Sequence, residues 1–410
     1  MVRAWMVVAL LWIVAGLNYF DRIMITTMRG SLTEAIPMTE AQFGLLTSVF
    51  LWVYGILSPF AGFLADRFSR SRVVIVSLLA WSALTWLTGH ARNFDELVIV
   101  RALMGISEAC YIPAGLALIS DYHRGPTRSL ATGVHMTGVF TGAALGGVGG
   151  WLAERHEWNY AFKLFGVVGI LYACFLFFFL RDPVKNVERT ATGGGRERVE
   201  FLAALRSLFS RGSFLLLLAF WGLIGLVGWA LVGWLPTYLG EHFKLSQGVA
   251  GLSATGYLQT ASLVGVLLGG FLADRWSRAN ERGRILVPAI GLCVAAPGVF
   301  VAASTGMLPL AIAGLVAYGL ARAFTDANMM PILCLVSDPR YRATGYGVLN
   351  LFGCLVGGLT IYAGGALRDR QVNLSVLFQV AAACLAVCAV LLFFVKPSET
   401  ASEPASGGRE

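Results

Sequence analysis

Charge is scarce in this chain. Asp, Glu, Lys and Arg make up 13% of its 410 residues, against roughly 25% in a typical soluble protein. Hydrophobic residues make up 57%, and the mean hydropathy is +0.71. Such a chain folded in water could not cover its own surface, whereas lipid removes that need, so a set of soluble domains is excluded. Metal-ligand and redox spacings are missing too. The seven cysteines, Cys110, Cys174, Cys293, Cys334, Cys354, Cys384 and Cys388, all lie in apolar segments without CxxC spacing, and read as small helix-packing residues rather than a metal site or disulfide framework. No nucleotide-binding loop is present: the Gly-rich run GAALGGVGG at 142–150 lacks the Lys-Ser/Thr of a Walker A motif. It sits inside an apolar segment and is expected to pack the second and fifth membrane helices closely. Nothing points to catalysis, so no enzyme activity, metal or cofactor is expected. The first twenty residues have no small-x-small cleavage site and read as a membrane helix rather than a signal peptide.

What is abundant is apolar runs long enough to cross about 30 Å of hydrocarbon. They fall near 4–28, 41–64, 73–91, 96–120, 129–153, 159–180, 213–239, 249–272, 285–304, 307–333, 343–366 and 372–395. Six lie on each side of a polar stretch. The reading is an all-α membrane protein of twelve transmembrane helices in two pseudo-symmetric six-helix bundles. The first bundle is 1–180, a cytoplasmic linker 181–211 with a short surface helix at 197–209, the second bundle 212–396, and a disordered tail 397–410. Of the 31 basic residues, 21 fall on the side of both termini, seven on the other, and Arg22, Arg101 and Arg322 at membrane depth. Both termini are therefore expected in the cytoplasm, in a cell inner membrane. That orientation, with anionic headgroups, accounts for the net charge of +8 without invoking nucleic acid.

The two halves repeat each other. GFLADRFSR at 62–70 returns as GFLADRWSR at 270–278, eight of nine positions matching at an offset of 208. Glu108 stands five residues before Pro113, as Asp326 does before Pro331, and LISD at 118–121 is echoed by LVSD at 335–338. Parallel six-helix repeats suit two bundles rocking around a central site. On these motifs the whole chain resembles the major facilitator superfamily, GFLADRFSRSR being similar to its loop 2–3 signature. The N-terminal half most resembles the spinster-like transporters, through Asn18-Tyr19-Phe20-Asp21-Arg22 and through Arg101, Glu108, Ala109 and Tyr111. Ser107 replaces the glycine usual before that glutamate. The organic anion:cation symporters have a similar start, and the C-terminal RAFTDANMMP fits neither group closely. The spinster resemblance implies proton coupling through Asp21, Arg22 and Glu108.

The residues carry a reading of their own. A charge at bilayer depth costs at least ~2.5–3.5 kcal/mol unless paired or facing a watery cavity. Arg101 and Glu108 lie seven apart on one helix face. Asp21 and Arg22 point about 100° apart, so Arg22 is expected to pair with Glu108, and Asp21 with polar neighbours or water. Either this set couples protons or binds substrate, or it is a static pair that fixes packing. A guanidinium favours a charged carboxyl and desolvation a neutral one, so a movable Arg22 would make the protonation of Glu108 depend on conformation. Arg322 and Asp326, four apart, either satisfy each other or bind substrate with Asn328. Arg101, Tyr54, Tyr111, Trp229, Trp234, Tyr257 and Gln259 are expected along a cavity, ordinary packing being the alternative. His135 is a secondary titratable residue, with a helix-to-helix hydrogen bond as its other reading.

The repeated loop is read as a conformational latch, with Gly62, Asp66, Arg67, Arg70 and Arg72 in one copy and Asp274, Arg275 and Arg278 in the other. Asp66 would accept from helix N-terminal amides, and the arginines would meet headgroups or acids such as Asp121. Such contacts must break when the state changes. The expectation is a monomeric proton-coupled transporter of a small organic anion, such as a sugar acid or other carboxylate. The alternative is a lysophospholipid or sphingolipid-like substrate, for which Gly142, Gly146, Gly265 and Gly269 would leave a lateral gap.

Overall fold

The computed structural model describes residues 2–123, 127–183, 201–280, 282–338 and 341–396, without the side chains of 62–66, 129, 201 and 343. The tail 397–410 and most of the linker lie outside the described residues. The first half runs α1 (Val2–Thr27), a short α2 (Arg29–Ala35), α3 (Glu40–Arg67), α4 (Arg70–Thr88), α5 (Phe94–Ala109), α6 (Tyr111–Tyr122), α7 (Arg128–Leu145), α8 (Gly147–Arg155) and α9 (Asn159–Phe179). After α10 (Phe201–Phe209) come α11 (Gly212–Phe243), α12 (Gln247–Leu252), α13 (Leu258–Ser277), α14 (Gly283–Ser304), α15 (Leu308–Val336), α16 (Arg342–Asp369) and α17 (Leu374–Phe394).

Three spans are built from two helices each. Between α5 and α6 the helix breaks at Cys110, because Pro113 lacks the amide that would bond the carbonyl of Ala109. The α7–α8 span breaks at Gly146, where tighter turns take over: Gly146 N–H donates to Ala143 O at 3.2 Å and Gly149 N–H to Gly146 O at 3.1 Å. Between α12 and α13 lies one π-helical turn, Ser253–Tyr257. Eleven described helices are long and apolar enough to span a bilayer. The α7–α8 span completes twelve, its residues 128–155 reaching about 40 Å at 1.5 Å per residue.

Helix pairing repeats between the halves. In the first, α1 packs on α7, α3 on α5 and α4 on α9; in the second, α11 packs on α16, α13 on α15 and α14 on α17. The spans thus pair first with fifth, second with fourth and third with sixth in both bundles. The bundles meet where α3 lies along α16, and where α7 and α8 meet α12 and α13.

Glycine makes these approaches close, though not with the partner expected. The 142–150 run faces the first spanning helix rather than the second: a Cβ at Gly142 would overlap the backbone of Gly16. The second helix uses Gly44 instead, where a Cβ would sit 2.7 Å from the carbonyl of Ile361 on α16. Gly265 and Gly269 pack against the backbone of Leu320 and Phe324. A Cβ at Gly146 would likewise meet the Ile23 side chain at 2.6 Å, so all four glycines expected to leave a lateral gap hold helices together instead.

Candidate functional site

A cavity of about 410 Å³ lies between the bundles. From the first bundle Tyr19, Arg22 and Tyr54 line it, with Met136, Val139 and Phe140; from the second come Trp221, Trp229, Gln259, Arg322, Asp326, Tyr346 and Asn350. α1 carries Arg22 into this space with its guanidinium 4.4 Å from the Tyr54 ring and 4.9 Å from that of Tyr19. Its Nε donates to Glu108 Oε2 at 2.7 Å, which also accepts from Asn18 Nδ2 at 2.9 Å. Both members of the ion pair are buried, and Arg22 Nη2 has no partner among the described residues. Asp21 turns away and accepts from Thr85 Oγ1 at 3.1 Å. The pairing of Arg22 with Glu108, and of Asp21 with a polar neighbour, is the arrangement the helix geometry calls for.

Arg322 Nη2 donates to Asp326 Oδ1 at 3.1 Å within α15, and both line the cavity. Arg322 Nε has no partner among the described residues. Trp229, Gln259 and Tyr54 line the cavity as expected, whereas five other expected residues lie elsewhere. Arg101 is fully buried toward α3, its Nε donating to Leu46 O at 3.3 Å and its guanidinium 4.8 Å from the Phe50 ring. Tyr111 donates to Leu11 O at 2.8 Å inside the first bundle, with His135 packed beside its ring. Asn328 donates to Gly269 O and Phe324 O, Trp234 to Ile361 O, and Tyr257 faces outward, 53% exposed. Apart from Tyr257, these side chains serve helix packing.

The end of the molecule away from the termini is closed by charges that sequence reasoning treated as topology anchors or passed over. Arg29 pairs with Glu40 of its own bundle and approaches Glu241 of the other at 3.5 Å. Arg368 pairs across the bundles with Glu40 at 3.3 Å and with Glu241 at 2.8 Å on its own side. Burial and the nearby Arg368 push the Arg29 guanidinium below its ordinary value, with Glu241 opposing. Asp369 accepts from the amides of Glu40 and Ala41, and Glu154 from the amide of Gly248. The only available signal was acids and bases at span ends on one side, and pairing among them needs the fold.

At the opposite end Arg70 Nη1 pairs with Asp121 Oδ2 at 2.5 Å and donates to Ala117 O. In the second copy Asp274 meets Arg284 at 3.4 Å, while Arg67, Arg275 and Arg278 are exposed. These pairs lie within one bundle. The side chain of Asp66 and the surroundings of Gly62 lie outside what the structure describes.

Residues 11–361 match the Major Facilitator Superfamily profile. A probable sulfoacetate transporter of Cupriavidus necator is 26% identical over 97% of this chain and 95% of that protein. The gallate transporter of Pseudomonas putida is 26% identical, covering 91% of this chain and 88% of its own. Protein spinster of Drosophila melanogaster is 27% identical over 72% of this chain, which spans about half, 49%, of that relative. The crystal structure of a bacterial homolog to the human lysosomal transporter Spinster, inward-facing and unoccupied, matches with a TM-score of 0.74 at 23% identity, covering 96% of this chain and 95% of that one. At that identity the likeness establishes the fold. With its twelve spans and paired bundles, the chain belongs to the Major Facilitator Superfamily of multi-pass membrane transporters, not to the enzymes.

Proposed function

We propose that this transporter moves a small organic anion by alternating access, coupled to protons. The observation that carries the reading is the pair of arginines in the central cavity, one from each bundle, each with a guanidinium nitrogen lacking a partner among the described residues. Arginine suits carboxylate and sulfonate oxygens because its donors form a planar fork. An anion held by both arginines would draw the bundles together. The cavity of about 410 Å³ falls in the lower part of the roughly 300–1,000 Å³ range of small-molecule sites, and Trp221 and Trp229 offer flat walls. The relatives named for sulfoacetate and gallate are both covered almost end to end. The apolar wall of Met136, Val139, Phe140, Met329 and Met330, with the likeness to spinster, favours an amphipathic lipid-like substrate as the second reading.

Glu108 is the coupling carboxylate in this proposal. Protonating it would cancel the charge that holds Arg22 and let the ion pair part as the bundles change state. Asp21, one residue along but bonded to Thr85, is the second choice. The protein works as a monomer in the inner membrane with its termini in the cytoplasm, so the closed end is the outer one. In proteoliposomes loaded with sulfoacetate or gallate, Glu108→Gln should abolish accumulation driven by a pH gradient while exchange at equal pH survives. Unchanged accumulation with unchanged pH dependence would remove Glu108 from the mechanism. Failure of either anion to exchange, with lysophospholipid movement instead, would favour the second reading.

A further inference from the structure

Among the described residues, the charges at membrane depth balance: Arg22, Arg101 and Arg322 against Asp21, Glu108 and Asp326. A monoanion entering this site would leave one negative charge uncompensated in surroundings that hydrate it poorly, which is costly. One proton taken up by a carboxylate restores neutrality. The three carboxylates are not equally placed to take it. Glu108 is wholly buried and held by both Arg22 and Asn18. Asp21 is 3% exposed and bonded to Thr85. Asp326 lines the cavity, its side chain is 25% exposed, and its recorded ion pair is with Arg322.

The geometry of Arg322 strengthens the choice. A carboxylate that binds an arginine side-on uses Nε and Nη2, whose hydrogens point the same way. Here Nη2 holds Asp326 and Nε has no partner among the described residues. An incoming anion that takes the whole fork therefore displaces Asp326 from Nη2. The titratable and charged groups that share the cavity with Asp326 are Arg322 on its own helix, Tyr19 and Arg22 on α1, Tyr54 on α3, and Tyr346 and Cys354 on α16, with Tyr318 in the space adjoining Arg322. Arg22 already serves Glu108, and Arg322 would serve the anion.

Resting on the anion reading above, we infer that Asp326 accepts a proton as the anion binds Arg322, so that anion and proton occupy the cavity together and travel in the same direction. A proton from the buffered solution, carried in as hydronium, joins the carboxylate, and the guanidinium hydrogen bonds pass from Asp326 to the anion. The transporter is then a symporter in which Asp326 carries the proton linked to anion binding, while the Arg22–Glu108 pair governs the change of state.

Calorimetric titration of the purified full chain with gallate, a monoanion, and with sulfoacetate tests this, in two buffers of different ionisation enthalpy between about pH 6 and 7.5. One proton taken up per gallate raises the apparent Kd about tenfold for each pH unit, so affinity falls as pH rises. Asp326→Asn should bind gallate without proton uptake and with a pH-independent Kd, at least as tightly at the upper pH because Arg322 is freed. Asp326→Glu should restore the pH dependence, which separates loss of the proton site from loss of the fold. Wild-type binding without proton uptake, or proton uptake retained in Asp326→Asn, would overturn the inference and leave anion binding standing. Binding of neither anion would overturn the anion reading and this inference with it.

Discussion

Asp369 and Glu154 stand at equivalent ends of the two bundles, and each caps a helix of the other. Asp369, at the end of the eleventh span, accepts from the amides of Glu40 and Ala41 at 2.9 and 3.0 Å, at the start of the second. Glu154, at the end of the fifth span, accepts from the amide of Gly248 at 2.8 Å, at the start of the eighth. The two-fold relation of the bundles makes the arrangement reciprocal. Free amides at a helix start favour an anionic acceptor, so each bundle completes a helix that the other leaves unfinished. Opening this end must undo both caps.

Removing a cap costs about 0.5–2 kcal/mol, which shifts a two-state balance by roughly 2- to 30-fold. Asp369→Ala and Glu154→Ala are each expected to raise labelling of Thr237→Cys by an impermeant maleimide within that range. Thr237 is a suitable reporter because it lines the pocket at this end and its hydroxyl has no partner among the described residues. Glu96→Ala is the control, since Glu96 accepts from the amide of Arg92 in its own bundle. Equal labelling in all three variants would show that the caps do not hold this end closed.

Two irregular helices meet deeper between the bundles. Thr255, in the π-turn of the eighth span, accepts from Gly147 N–H at 3.1 Å and donates to Ala144 O at 2.8 Å, on either side of the break at Gly146. Thr27 supports the same break from α1, accepting from Gly150 N–H at 3.0 Å. π-turns are frequent at functional positions, and here the turn presents a hydroxyl to backbone groups that the fifth span cannot pair internally. Thr255→Val keeps the shape and removes the bonds. With side-chain hydrogen bonds in membranes averaging about 0.6 kcal/mol, the expected result is a two- to fourfold rise in labelling of Thr237→Cys with little change in thermal stability. A large loss of stability without added labelling would make Thr255 a packing residue of the fold rather than a clasp between bundles.

The spans were legible because composition and length determine them, and so was the pairing of Arg22 with Glu108, since a buried charge needs a partner and few exist. Arg101 was misplaced because seven-residue spacing sets the direction of Cα–Cβ, while a long side chain can still swing: its guanidinium reaches Leu46 O on α3. The neighbour of the glycine run was not legible either. Gly142 demands a close backbone, but nothing in the sequence distinguishes Gly16 of the first helix from a glycine of the second. The charges at the closed end were hidden for another reason. Arg29, Glu40, Glu241 and Arg368 would be as well satisfied by water as by one another, and only the tertiary arrangement brings them together.

Trp229 and Tyr111 were equal choices from sequence, and the structure separates them. Trp229 lines the cavity beside Arg322 and packs its ring against Gly357, so its removal takes away a flat wall of the site. Tyr111 is fully buried in the first bundle, and its hydroxyl donates to Leu11 O. Trp229→Ala is expected to weaken binding of gallate at least about tenfold, or 1.4 kcal/mol, with a smaller effect on sulfoacetate, which has no ring to stack. Tyr111→Phe should leave both affinities within twofold while lowering stability by about 1 kcal/mol, the usual net contribution of one hydrogen bond. Titration calorimetry and thermal unfolding on the same preparations read both quantities. A loss of gallate affinity in Tyr111→Phe comparable to that in Trp229→Ala would mean that the binding site extends into the first bundle, beyond the cavity between the halves.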